Sequence, residues 1–154
     1  MASPLRLCVR RAPVTGPAGL LVEVSLRVPS DLGCVEETVD LVTRHCLAGE
    51  APSSRLRFRL RVVLAEALAN AIIAGNGEDP SKWVELRAEL TDELVRIHVT
   101  DQGPGFDHTA IPAPIRPEDL ECCSGRGLFL IRQLADEVRF NEKGNSICMT
   151  LRRR

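Results

Sequence analysis

Hydrophobic positions along the chain change period several times, and each change marks an element. Leu20 to Val28, LLVEVSLRV, alternates apolar and polar residues and predicts a strand that Pro29 ends. Ser30 and Asp31 are both N-cap candidates for the next segment. There Leu32, Val35, Val39, Val42 and Cys46 recur at three- and four-residue steps, the signature of an amphipathic helix. Gly49 and Pro52 mark a loop, and a second helix is predicted from about Ser54 to Ala74, stopped by GNGEDP. Two alternating stretches follow, KWVELRAEL and ELVRIHVTD, with Thr91 and Asp92 as the turn. Val84, Leu86, Ala88 and Leu90 share one face of the first, and Val95, Ile97 and Val99 one face of the second. The pair therefore reads as a hairpin with one buried and one polar face.

Residues 102–124 break the pattern. They carry Gly103, Pro104, Gly105, Pro112, Pro114 and Pro117 and no apolar period. A stretch of this length without regular structure, inside a compact domain, is more often a functional lid than a linker. A turn of helix around Pro117–Leu120 is compatible with it. Arg126 to Val138 then reads as a helix with Leu128, Ile131, Leu134 and Ala135 on one face. Strands around Val138–Asn141 and Ser146–Leu151 close the chain. The order of strand, two helices, hairpin, lid, helix and two strands implies an α+β fold, a two-layer sandwich with helices on one sheet face. Residues 1–19, with three prolines and two glycines, read as a weakly ordered arm or an edge strand, and 20–152 as a single domain.

Within the second helix, VVLAEALANAII is apolar at ten of twelve positions, and the exceptions are Glu66 and Asn70. Four residues apart, they lie on one helix face. Burying such a pair costs free energy unless something bonds to it. A hydrated metal ion or a water at a pocket floor would satisfy both. The same spacing also describes a narrow solvent-facing stripe, flanked here by Ala65, Ala69 and Ile73.

Composition narrows the partners. The net charge is −1, so no global basic field attracts nucleic acid, and the terminal run of three arginines reads as a solvated tail. No apolar run approaches the roughly 18 residues of a membrane span. The first residues, MASPLRLCVRRAP, lack the apolar core of a secretory signal. The six cysteines form no CxxC pair and the three histidines have no ligand spacing, which argues against a structural zinc site. Reduced thiols in a cytoplasmic protein are expected.

Two further segments carry chemistry. Asp101-Gln102-Gly103-Pro104-Gly105-Phe106 places a carboxylate where the chain leaves the sheet, followed by two glycines. Such a carboxylate accepts a hydrogen bond from a ligand amino group such as that of adenine; a plain β-turn has the same letters. Ser124-Gly125-Arg126-Gly127-Leu128 opens a helix, and backbone N–H groups at a helix N-terminus suit phosphate. Arg126 adds a charged donor. An ordinary serine N-cap reads alike. Neither a Walker loop nor a Rossmann fingerprint is present.

Taken together, EALANAII-x-GN, DQGPGFD and SGRGLFLIRQLADEV resemble the N box and the two glycine boxes of the GHKL ATPase/kinase superfamily. The chain looks most like its anti-sigma factor serine kinases of the RsbW and SpoIIAB type, over roughly Leu20 to Leu151. The resemblance implies the GHKL (Bergerat) two-layer sandwich, with a mixed, mostly antiparallel sheet and an ATP lid at about 104–124. It implies that Asn70 ligates Mg²⁺ and that Glu66 is the general base for an attacking serine hydroxyl. Asp101 would bond the adenine amino group, Gly103 and Gly105 would shape its pocket, and Gly125, Arg126 and Gly127 would hold the phosphates of ATP. It implies a kinase that phosphorylates a STAS-domain anti-anti-sigma protein, sequesters a sigma factor and forms a homodimer, without direct contact to nucleic acid or membrane. A non-catalytic ATP-binding interaction module of the same fold is the alternative. Two positions depart from the pattern. Ala74 stands where the family usually has His, and the third glycine box reads Gly144-Asn145-Ser146 in place of Gly-Thr, with a hydroxyl one residue along at Ser146.

Overall fold

The computed structural model describes residues 5–11, 20–47, 53–105 and 126–153. Among the described residues, six strands form one sheet in the order β1-β2-β3-β4-β6-β5. They are β1 (Arg6–Arg11), β2 (Leu20–Pro29), β3 (Trp83–Thr91), β4 (Leu94–Thr100), β5 (Glu137–Phe140) and β6 (Ser146–Arg152). Every pairing is antiparallel, so the mixed sheet anticipated above is corrected: among the described residues there is no parallel pair. Three helices among the described residues pack against the sheet, α1 (Val35–Cys46), α2 (Ser54–Asn70) and α3 (Arg126–Leu134), with α2 between the other two.

Strict alternation decides which sheet face is covered. Val24, Leu26 and Val28 of β2, Val84, Leu86 and Ala88 of β3, Val95 and Ile97 of β4, and Met149 and Leu151 of β6 are buried under the helices. The opposite face carries cross-strand rows of polar residues, such as Ser25, Arg87, His98, Cys148 and Arg139. From the helical side, Val39, Val42 and Cys46 of α1 and Leu56, Leu60, Leu64 and Leu68 of α2 fill the layer between. Burial pushes the Cys46 thiol up to about 12, so it behaves as a core hydrophobe. No described helix is long and apolar enough to cross a membrane.

The element ends are set by local hydrogen bonds. Asp31 caps a short 3-10 turn at Leu32–Cys34 by accepting from the Gly33 N–H at 2.8 Å, and α1 continues from it. Ser53 caps α2 through the Leu56 N–H at 3.1 Å. The α-helical hydrogen bonding of α2 stops at Asn70 rather than Ala74, and Ala71–Gly75 widens into a π-helical turn. Thr91 belongs to β3, and its hydroxyl accepts from the Glu93 and Leu94 N–H groups to make the turn.

The helix anticipated over Arg126–Val138 ends at Leu134. Arg59 of α2 explains the stop. Its Nε donates to the Leu134 carbonyl at 2.7 Å and its Nη2 reaches the Asp136 carboxylate at 2.8 Å. The Asp136 N–H donates to the Thr150 carbonyl, which turns the chain into β5 beside β6. Arg6–Arg11 is the edge strand β1.

Leu64 is fully buried at the centre of this layer. Leu64→Ala should lower stability by about 2–5 kcal/mol in urea-induced unfolding, the cost of lost transfer energy plus a cavity.

Candidate functional site

The far end of α2 presents Val62, Glu66, Ala69 and Asn70 on a half-buried stripe beside α3. The first turn of α3 meets that stripe at Gly127. A Cβ built on Gly127 would lie 2.8 Å from Glu66 Oε2 and 3.2–3.3 Å from the two polar atoms of the Asn70 carboxamide. A side chain there would push the end of Glu66 aside and crowd the Asn70 carboxamide, whereas glycine fits without adjustment. Among the described residues, neither the Glu66 nor the Asn70 side chain has a hydrogen-bond partner. A half-buried carboxylate and carboxamide therefore stand together at the positive end of a helix, without a hydrogen-bond partner among the described residues. The solvent-stripe alternative fits the flanking exposure of Ile73 but not this contact with Gly127.

Asp101 closes a second part of the site, where the chain leaves β4. Its Oδ1 accepts from the Gly103 N–H at 2.8 Å, and its backbone pairs with Asn145 through the Asp101 N–H and the Asn145 carbonyl at 2.9 Å. Partial burial raises its pKa above the usual carboxylate value, opposed by the Gly103 N–H and by Lys143 and Lys82. A Cβ on Gly75 would run into this carboxylate, and one on Gly103 into the Gly75 carbonyl. The π-helical turn after Asn70 and the strand end thus touch directly. Gly105, at φ +81°, takes a conformation open to glycine and lies against the Lys143 carbonyl.

Arg126 is exposed at the start of α3. Gly125 and residues 106–124 of the anticipated lid, including the turn at Pro117–Leu120, lie outside the described residues. The structure therefore joins Glu66, Asn70 and Gly127 in one cluster and Asp101, Gly103 and Gly105 in another, with the turn Ala71–Gly75 linking them.

Residues 28–151 match the histidine kinase-like ATPase domain family. The chain belongs to that family. This ATPase-family domain is similar to the serine-protein kinase RsbW of Staphylococcus epidermidis, 32% identical over 97 residues, 58% of this chain and 61% of that protein. It is similar to the anti-sigma F factor of Oceanobacillus iheyensis, 32% identical over 97 residues, 59% of this chain and 66% of that protein. RsbW of Staphylococcus aureus strain JH9 matches at 30% over 98 residues, 58% of this chain and 62% of that protein. The chain spans about three-fifths to two-thirds of the length of the curated relatives it matches.

One correction concerns the third glycine box. Ser146 pairs with Thr100 across the ladder, and the two hydroxyls are 2.7 Å apart on the polar sheet face. Ser146 therefore turns away from the cluster. Asn145 is the residue at Asp101, donating from Nδ2 to the Asp101 carbonyl at 2.9 Å.

Sequence reasoning also missed Asn76, read above only as part of a helix stop. Its carboxamide is 2% exposed and bonds in three directions. Nδ2 donates to Ser30 Oγ at 2.9 Å and to the Trp83 carbonyl at 3.0 Å, and Oδ1 accepts from the Gln102 N–H at 2.7 Å. Gln102 Oε1 in turn accepts from the Trp83 N–H at 2.8 Å. Asn76 thus ties the ends of β2 and β3 to the residue after Asp101. Nothing in the sequence distinguishes this buried amide from a solvated one at a turn. Asn76→Ala should cost about 1–3 kcal/mol for each bonded group left buried without a partner. Thermal unfolding should show the loss, with a smaller loss for the more exposed Asn141→Ala.

Proposed function

We propose that this domain binds ATP with Mg²⁺ and transfers the terminal phosphoryl group to a serine of a protein substrate. The meeting of Glu66 and Asn70 with Gly127 carries this reading. The donor set fits the group. An acidic and an amide oxygen suit a hard cation, and the first turn of α3, whose N–H groups and dipole favour an anion, adjoins them at Gly127. The name of one relative, serine-protein kinase, supports the same reaction class, and that of another, anti-sigma F factor, supports action on a sigma factor.

When bound, Mg·ATP supplies an activated phosphoryl group; the chain supplies position and charge. Asn70 Oδ1 would hold the cation. Gly127 and Gly125, with Arg126, would bind the phosphates. Asp101 would accept from the adenine amino group, its partial desolvation strengthening that bond, while Gly103 and Gly105 form the pocket wall. Glu66 would take the proton of the incoming serine hydroxyl at a carboxylate oxygen, one helical turn from the cation ligand. The substrate would be a STAS-domain anti-anti-sigma protein. The same domain, as a cytoplasmic homodimer, would hold a sigma factor inactive.

One observation favours a second reading, a nucleotide-binding module without transfer activity. Ala74 is exposed and carries no polar group at the position where the family usually has His. Incubation with γ-labelled ATP and a STAS protein separates the two: labelled serine supports the kinase, and bound ATP without transfer supports the module.

Asn70→Ala should weaken Mg-dependent ATP binding by at least about tenfold in calorimetry. Glu66→Gln should leave ATP affinity unchanged and lower phosphoryl transfer by about 10²–10⁴. Unaltered transfer would remove the base assignment. ADP should bind about tenfold or more tightly than IDP, which lacks the amino group, because an unpaired buried acceptor is costly. Asp101→Ala should abolish that preference.

A further inference from the structure

The turn joining β5 to β6 runs through Asn141, Glu142, Lys143, Gly144 and Asn145, with Gly144 at φ +79°. The Asn141 carboxamide closes it. Its Oδ1 accepts the N–H groups of Gly144, Asn145 and Ser146 at 2.8, 3.0 and 3.2 Å. Only an oxygen accepts from three N–H groups, so the amide nitrogen of Asn141 faces the other way. There Nδ2 donates to Asn145 Oδ1 at 2.6 Å. That contact fixes the second carboxamide in turn, and its Nδ2 donates to the Asp101 carbonyl at 2.9 Å. Each orientation follows from the one before it.

Asp101 lies just past the point where the sheet can hold it. The ladder between β4 and β6 ends with Thr100 opposite Ser146. One residue further, the main chain gives a single bond, from the Asp101 N–H to the Asn145 carbonyl at 2.9 Å. The Asn145 side chain supplies the second, in place of a backbone donor. Both backbone polar groups of Asp101 are thus held by one residue. Its Oδ1 is taken by the Gly103 N–H, and among the described residues its other carboxylate oxygen has no hydrogen-bond partner. A buried acceptor rejects a ligand that lacks the matching donor because it is then left unpaired. That penalty applies only while the acceptor cannot swing away to water. Holding the main chain of Asp101 through both its polar groups removes that freedom.

We propose that Asn145 is a positioning residue for base recognition and that Asn141 sets the direction of its amide. The pair keeps Asp101 aimed at an exocyclic amino group, so the β5–β6 turn takes part in choosing adenine over a base with a carbonyl at that place. This rests on the adenine role given to Asp101 above and deepens it. Asn145 is also a position where the chain departs from the Gly-Thr of the family pattern, so the device belongs to residues of this chain.

The test measures ADP and IDP affinity of the full chain by calorimetry. Asn141→Asp keeps an oxygen for the three N–H groups of the turn but removes the amide donor. Asn145 should then turn its Nδ2 toward the new carboxylate and present Oδ1 to the Asp101 carbonyl, where two acceptors repel. ADP affinity should fall about five- to tenfold and IDP affinity stay within about twofold, with a near wild-type unfolding midpoint. Asn145→Asp, which removes the donor itself at equal size, should shift the ADP-to-IDP ratio in the same direction by at least as much. A merely structural turn would weaken both nucleotides alike. That result, or an unchanged ratio in Asn145→Asp, would overturn the positioning role; an unchanged ratio in Asn141→Asp would overturn the orienting role of Asn141. Because Asn141 is exposed and its variant retains the turn, the test survives a folding failure of Asn145→Asp. Asp101→Ala separates this inference from the reading beneath it. If Asp101→Ala keeps the wild-type ratio, the adenine assignment fails; if it loses the ratio while both asparagine variants keep it, only the present inference fails.

Discussion

The close approach of α3 to α2 at Gly127 is the constraint on which the candidate site depends. Two helices lying side by side on a sheet normally keep their axes about 8–10 Å apart, with side chains between them. Here a glycine, Gly127, faces a carboxylate and a carboxamide with no side chain between. The apolar side of α2 makes this possible. Leu60, Leu64 and Leu68 fix the helix on the sheet, so the polar stripe carrying Glu66 and Asn70 has one orientation. Packing energy is thereby used to hold polar groups in a fixed geometry. That is the arrangement electrostatic catalysis requires, because little reorganisation remains at the moment of reaction.

The second cluster is held by backbone rather than by side-chain packing. Gly75 and Gly103 let the π-helical turn and the strand end come into direct contact, and Asn76 and Asn145 pin the strand ends around Asp101. Buried amides suit this task because each offers both donors and acceptors. Asn76 uses both functions, toward three separate segments. A purely apolar residue there would leave the Gln102 N–H and the Trp83 carbonyl without their partner.

Much of the fold was legible in the sequence because burial on one side imposes a period. Val84, Leu86, Ala88 and Leu90 alternate since β3 is covered on one face only, and Leu128 and Ile131 are spaced as α3 requires. Helix ends were less legible, because they depend on distant partners. The end of α3 is set by Arg59, seventy-five residues away from Leu134. The change from α to π hydrogen bonding after Asn70 has no periodic signature in AIIAG. Within the site, spacing alone placed Glu66 and Asn70 on one face. Which face Ser146 takes depended on strand register, fixed by its pairing with Thr100. Asn76 was hidden because an asparagine after a glycine reads as a turn, whether its amide is solvated or buried.

The two outer strands have a consequence for how the molecule behaves in a crowd of its own copies. An unpaired strand edge invites a neighbour to add its own strand, and repeated addition produces fibrils. β5 is only four residues long, and β1 is half arginine, with Arg6, Arg10 and Arg11. A short rim on one flank and like charges on the other disfavour end-to-end growth. The sheet can thus be entirely antiparallel and open without becoming a template for its own polymerisation.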